Sequence, residues 1–84
     1  MGFDYLFFDI IPYDLYVINT LPVEVKIKAD DLIDFQGSSE LVISSTDTVD
    51  AKIYTNKPKF VSLVNFPIII DWEFKDNAIY VVIR

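Results

Sequence analysis

Short runs of this sequence alternate between apolar and polar residues with a period of two, the spacing of side chains on the two faces of a β-strand. In residues 23–28, three aliphatic side chains fall on one face, while Glu24, Lys26 and Lys28 fall on the other. Alternation of this kind predicts half-buried strands. The predicted strands cover residues 14–19, 23–28, 32–36, 40–45, 49–55, 59–66, 68–74 and 78–83, with a turn at residues 75–77 joining the last two.

The composition also favours strands over helices. Val, Ile, Thr, Tyr, Phe and Trp outnumber Ala, Leu and Met by 38 to 10, and β-branched and aromatic side chains pack well on pleated surfaces. A single helical turn at residues 29–34, capped by Asp30, is the one helical possibility. Seven or eight short strands in one domain predict an all-β sandwich or barrel. Its expected core residues are Trp72, Phe74, Phe60, Leu41, Ile43 and Ile79.

The chain contains neither Cys nor His. This excludes thiol chemistry, Ser–His and Cys–His dyads, haem ligation and zinc binding through these side chains. Asp30, Asp31 and Asp34 lack the Gly and the terminal Glu of a Ca²⁺ loop, so a solvated loop is the favoured interpretation of this cluster. The hydroxyls among residues 44–48 have no partner base. We therefore expect no enzymatic activity, no metal ion and no cofactor.

The charge and hydropathy of the chain limit the classes of binding partner that we expect. The net charge is −6 and the seven basic residues are scattered, whereas nucleic-acid binding needs clustered basic side chains to displace counterions. No apolar run approaches the ~18 residues of a membrane span, and residues 1–12 lack the basic start of a signal peptide. We expect a cytoplasmic protein that binds neither nucleic acid nor membranes.

Four stretches go beyond generic alternation: 14–22, 30–44, 52–67 and 73–84. In this order they resemble the small heat-shock protein (α-crystallin domain) family, archaeal type. KIYTNKPKFVSLVNFP (52–67) resembles its basic, Pro-containing turn and following strand, and EFKDNAIYVVIR (73–84) is similar to its last two strands. DLYVINTLP (14–22) resembles the opening strand, and DDLIDFQGSSELVIS (30–44) the next hairpin. The chain departs from the family at Val23, where Gly is favoured, and at Trp72, where a small residue is usual. It also lacks the C-terminal Ile-x-Ile anchor tail, so we do not expect a large shell.

The resemblance implies an α-crystallin-like, immunoglobulin-like β-sandwich over residues 14–84. Residues 1–13 would form either an aromatic client-binding arm or an extra edge strand. The aromatic residues of the arm are Phe3, Tyr5, Phe7 and Phe8. Residues 49–55 would cross to a second copy and form a homodimer, with Ala51, Ile53 and Tyr54 at the interface. A peptide groove would lie between residues 40–45 and 71–75, lined by Leu41, Val42, Ile43, Trp72 and Phe74.

The function implied by the resemblance is that of a stress-response chaperone, an ATP-independent holdase that binds unfolding polypeptides. Such activity needs apolar grooves and strand edges and no catalytic residue. The alternative is a non-chaperone or co-chaperone adaptor module of the same fold that binds one folded partner. A holdase would protect several unrelated clients, whereas an adaptor would protect none.

Overall fold

The computed structural model describes residues 11–33 and 39–84, which contain seven strands and no helix. The expectation of an all-β fold is confirmed. The strands follow the predicted alternation, since β2 buries every second residue and leaves the residues between them exposed. The strands are β1 (Tyr13–Asn19), β2 (Val25–Ala29), β3 (Glu40–Ile43), β4 (Thr48–Ile53), β5 (Phe60–Ser62), β6 (Ile70–Lys75) and β7 (Ala78–Ile83).

The strands form two sheets. The four-stranded sheet has the order β4-β1-β7-β6, and the three-stranded sheet has the order β3-β2-β5. β1 and β7 are parallel neighbours at the centre of the larger sheet, and the other pairs are antiparallel. The inward side chains of both sheets form one apolar core, to which β1 contributes Leu15 and Val17, β2 Val25 and Ile27, and β7 Ile79. This is the arrangement of a β-sandwich.

The two sides of this sandwich are closed by different strands. On one side β3 lies against β1. On the other side the edge strands β5 and β6 meet through Phe60 and Trp72, whose ring centroids are 5.8 Å apart with an interplanar angle of 66°. β3 and β6 therefore lie at opposite sides of the molecule.

Asn19, at the end of β1, is the buried polar residue of the described core. Its Nδ2 donates hydrogen bonds to the carbonyl oxygens of Val23 (2.8 Å) and Ser44 (2.9 Å), and its Oδ1 accepts one from the Leu21 N–H (2.9 Å). Because a buried amide is costly unless its donors and acceptors are paired, this network fixes the loop after β1 against the turn after β3.

Several element boundaries differ from the predicted ones. The long strand predicted at residues 59–66 is reduced to Phe60–Ser62. Of the predicted strand at 32–36, Leu32 forms an isolated bridge with Ile53, and residues 34–36 lie outside the described residues. The predicted helical turn is instead a turn in which Asp31 has a φ of 61°. The turn at 75–77 is confirmed, with Asp76 and Asn77 both at positive φ.

Three of the six predicted core residues are fully buried in the structure. Leu41, Ile43 and Ile79 are fully buried, and Phe60 is half-buried. The prediction is wrong for Trp72 and Phe74, whose side chains are 38% and 39% exposed. They lie on β6, the edge of a four-stranded sheet that faces a sheet with one strand fewer, so the outermost strand is incompletely covered.

Candidate polypeptide-binding edge

Along its outer side, β6 carries a row of backbone donors and acceptors that no other described strand uses. Within the described residues, β6 pairs with β7 alone. Next to β6, Ile69 and Arg84 exchange two backbone hydrogen bonds of 2.8 and 3.0 Å. Hydrogen-bonded and non-bonded pairs alternate along an antiparallel ladder, so residues 71, 73 and 75 bond to β7. Ile70, Trp72 and Phe74 therefore direct their N–H and C=O groups away from β7, where another strand can pair with them.

The inward face of β6 is aromatic. Trp72 and Phe74 are paired with Val81 and Ile79 of β7, whose side chains belong to the buried core. Phe74 also contacts Tyr13, edge to face, with ring centroids 5.1 Å apart. These contacts hold both rings in place, although each remains more than one-third exposed. They form a fixed apolar surface beside the free backbone edge.

The outward face of β6 is charged and lies next to a pair of tyrosines. The register places Glu73 beside Tyr80, Tyr80 beside Tyr16, and Tyr16 beside Asp50, in one row across the four strands. The two tyrosine rings are stacked, with centroids 5.3 Å apart. A depression of about 250 Å³ lies beside this row, lined by Asp71, Trp72, Glu73, Tyr80 and Val82.

Asp71 is the outward carboxylate of β6 that already has a basic partner. Its Oδ2 accepts hydrogen bonds from Nε (2.9 Å) and Nη2 (2.6 Å) of Arg84, and both side chains are more than half exposed. Glu73 has no ion-pair partner within the described residues. The two acids of β6 therefore differ in how readily they can accept a new cation.

The structure does not bring together the two predicted walls of the peptide groove. Leu41 and Ile43 of β3 are fully buried in the core, and Val42 is exposed on the outer face of the three-stranded sheet. Trp72 and Phe74 lie on β6, at the opposite side of the sandwich. The predicted groove was wrong in its geometry, because β2 and β5 separate β3 from the β6 side of the molecule. Of its five lining residues, Trp72 and Phe74 belong to the candidate edge.

Of the three residues predicted for a dimer interface, two are buried and one is exposed. β4 pairs with β1 of its own chain along its whole length. Ala51 and Ile53 are buried in the core of that chain, whereas Tyr54, which follows β4, is 42% exposed. Of these three side chains, Tyr54 alone is accessible to a second copy. The predicted client-binding residues Phe3, Tyr5, Phe7 and Phe8 lie outside the described residues.

Comparisons with known proteins found no matching family model, no matching curated protein and no matching solved structure. Residues 11–33 and 39–84 include no helix that is long and apolar enough to cross a membrane. In the same ranges, no three carboxylates are grouped so that they could hold a metal ion. The function is therefore inferred from the surface chemistry of the chain itself.

Proposed function

We propose that this chain is an ATP-independent holdase of the small heat-shock type, which binds extended segments of unfolding polypeptides along β6. The observation that carries the proposal is a backbone edge without a partner strand among the described residues, combined with two exposed aromatic rings on the same strand. A segment added to this edge would gain main-chain hydrogen bonds from Ile70, Trp72 and Phe74. Its apolar side chains would cover the two rings. Strand addition of this kind is a general mode of peptide recognition.

The expected strength of this interaction suits reversible capture. Aromatic side chains bury roughly 150–250 Å² each when fully covered, so two rings that are just over one-third exposed offer roughly 150 Å². Covering that area would contribute about 4 kcal/mol at ~25 cal/mol per Å². Ordering the client segment consumes much of this gain. Binding at each site is then weak and reversible.

The sequence supports the same proposal independently of the edge. The stretch at 73–84, which forms most of the β6–β7 hairpin, is one of those that resemble the α-crystallin domain. The aromatic arm with Phe3, Tyr5, Phe7 and Phe8 offers a second apolar client contact. The edge is the first contact to test, because its backbone direction and side-chain exposure are defined.

The proposal is tested by aggregation assays with the full-length chain. Several unrelated heat-labile proteins are heated without ATP, at near-stoichiometric ratios, and aggregation is followed by light scattering. We expect the wild-type chain to suppress aggregation and the double variant Trp72→Ser/Phe74→Ser to lose most of this effect. Tyr54→Ser is the matched control, since it removes an aromatic ring of similar exposure beyond the opposite edge of the same sheet.

The outcomes separate the two candidate functions. Protection of several clients that survives Tyr54→Ser but not the β6 double variant supports the holdase at β6. If the wild-type chain protects none of the clients, the holdase proposal is refuted and the adaptor interpretation is favoured. A melting temperature measured for each variant shows whether the loss of protection reflects unfolding.

A further inference from the structure

We infer that the segment bound along β6 alternates apolar and basic residues, with an acidic residue opposite Lys75. This inference rests on the proposed function, because it describes the polypeptide that the β6 edge prefers. It follows from the sequence of β6 itself, IDWEFK, in which apolar and charged residues alternate. A strand that pairs with β6 has its own alternating side chains placed beside those of β6.

The inward positions of the bound segment face apolar surface. Ile70, Trp72 and Phe74 share the face of the sheet that carries the core residues of β7. A residue of the bound strand opposite any of these three lies next to an aliphatic or aromatic side chain. A charged residue there would lose hydration without gaining a partner. These positions therefore select apolar residues.

The outward positions face two carboxylates and then one ammonium group. Asp71, Glu73 and Lys75 alternate with the apolar residues and are exposed. Opposite charges in directly opposed cross-strand pairs are favourable, and like charges are unfavourable. Glu73 is the main determinant, because it has no ion-pair partner among the described residues, whereas Arg84 already contacts Asp71. The net charge of −6 reinforces the preference for a basic segment.

The depression beside Glu73 provides room for a long basic side chain. Its volume is about 250 Å³, and its lining residues include two acids, Asp71 and Glu73, together with Tyr80 and Val82. A Lys or Arg can lay its apolar stem on Val82 while its charged end meets a carboxylate. The face of a tyrosine ring also attracts a cation. The depression thus favours Lys or Arg over a small polar residue.

Strand direction fixes the order of the preferred residues. A segment antiparallel to β6 reads, from its amino end, acidic, apolar, basic, apolar, basic, apolar. The peptide sequence EVKVKI represents this order, and IKVKVE represents the parallel one. KVEVEI keeps the alternation but reverses every charge, and EKKVVI has the composition of EVKVKI without the alternation.

The test is a fluorescence anisotropy titration of these four peptides, labelled and flanked by identical Gly-Ser segments, against the full-length chain at low salt. Of EVKVKI and IKVKVE, the peptide that binds more tightly should have an affinity at least about tenfold higher than that of KVEVEI or EKKVVI. This ratio should fall at 0.5 M NaCl, because exposed charges are screened. Glu73→Gln should reduce the ratio several-fold. Asp50→Asn is the matched control, since it removes one negative charge from the same row at the opposite edge.

Equal binding of the basic and acidic alternating peptides would overturn the inference and leave the proposed function in place. An Asp50→Asn effect as large as that of Glu73→Gln would also overturn it, because the preference would then reflect net charge alone. Failure of all four peptides to bind would contradict the proposed function as well. Thermal denaturation of both variants verifies that each remains folded.

Discussion

The two edges of the four-stranded sheet differ in how they are protected. At β4, Ile33 donates a hydrogen bond to the Lys52 carbonyl, Tyr54 donates one to the Asp31 carbonyl, and Ile53 is fully buried. At β6, the backbone edge has no partner strand among the described residues, and five of its six residues are exposed. The end of the β4 edge is covered by residues 31–33 of the same chain, whereas the β6 edge has no partner among the described residues and bears charges. An open edge is a liability that proteins usually block, so an open edge with fixed aromatic rings is a candidate for function.

The charges on β6 also oppose pairing between two copies of this edge. In an antiparallel pair of β6 strands centred on Trp72, each Asp71 would lie opposite Glu73 of the other copy. Like charges in directly opposed positions are destabilising. In this register the acidic residues therefore oppose self-association through β6, while they leave the edge available to a basic segment.

The largest expected difference between the two edges is in stability. Ile53→Ala removes a fully buried side chain beside the β4 edge and should lower the free energy of unfolding by about 2–5 kcal/mol. Phe74→Ala removes a larger side chain, but one that is 39% exposed, so we expect a smaller loss of about 1–2 kcal/mol. Urea denaturation measures both values. A loss at Phe74 equal to that at Ile53 would mean that β6 is as well buried as β4.

The predicted homodimer can be tested at β4 with a substitution that the structure selects. The backbone groups of Lys52 and Tyr54 point away from β1. Because this direction alternates along a strand, the N–H of Ile53 points toward β1, and Ile53→Pro would break a hydrogen bond within the chain's own sheet. Asp50 lies two residues before Lys52, so its N–H points outward and Asp50→Pro removes an outward donor. We expect light scattering to give the mass of a dimer for the wild type and of a monomer for Asp50→Pro. A wild type that is monomeric at high micromolar concentration would exclude this interface.

The hairpin turn that ends β6 offers a way to strengthen the open edge alone. Asp76 and Asn77 form a two-residue turn, with φ values of 53° and 62°. Glycine adopts positive φ without the steric cost of a Cβ atom. Asn77→Gly should therefore stabilise the protein by roughly 0.5 kcal/mol, and Asn77→Ala should destabilise it by about 1 kcal/mol. Thermal denaturation should show shifts of opposite sign; shifts of the same sign would contradict the assigned turn.

The sequence predicts the strands better than it predicts the two edges. Alternation identifies β2 and the β6–β7 hairpin, because burial on one face of a strand is a local pattern. The sequence does not show that Trp72 lies at a sheet edge, because strand order depends on contacts between distant residues. In IDWEFK the large apolar residues suggested a core strand, whereas the charged residues between them, followed by a turn, are equally typical of an exposed edge. The stacking of Tyr16 and Tyr80 likewise depends on a parallel pairing that the local sequence does not reveal.

The smallest expected effects come from two exposed ion pairs, one near each edge. Lys52 contacts Asp14 across the β1–β4 pair, and Arg84 contacts Asp71 across the β6–β7 pair. All four side chains are 45–58% exposed, so Asp14→Asn and Asp71→Asn should each lower the free energy of unfolding by no more than ~0.5 kcal/mol, and by less at high salt.

The two variants should nevertheless differ in peptide binding. Asp71→Asn removes a carboxylate from the depression beside β6 and should weaken binding of the basic alternating peptide slightly, whereas Asp14→Asn should leave it unchanged. Equal effects on binding would show that the charge of the whole outer face, and not the open edge, sets the preference for basic segments.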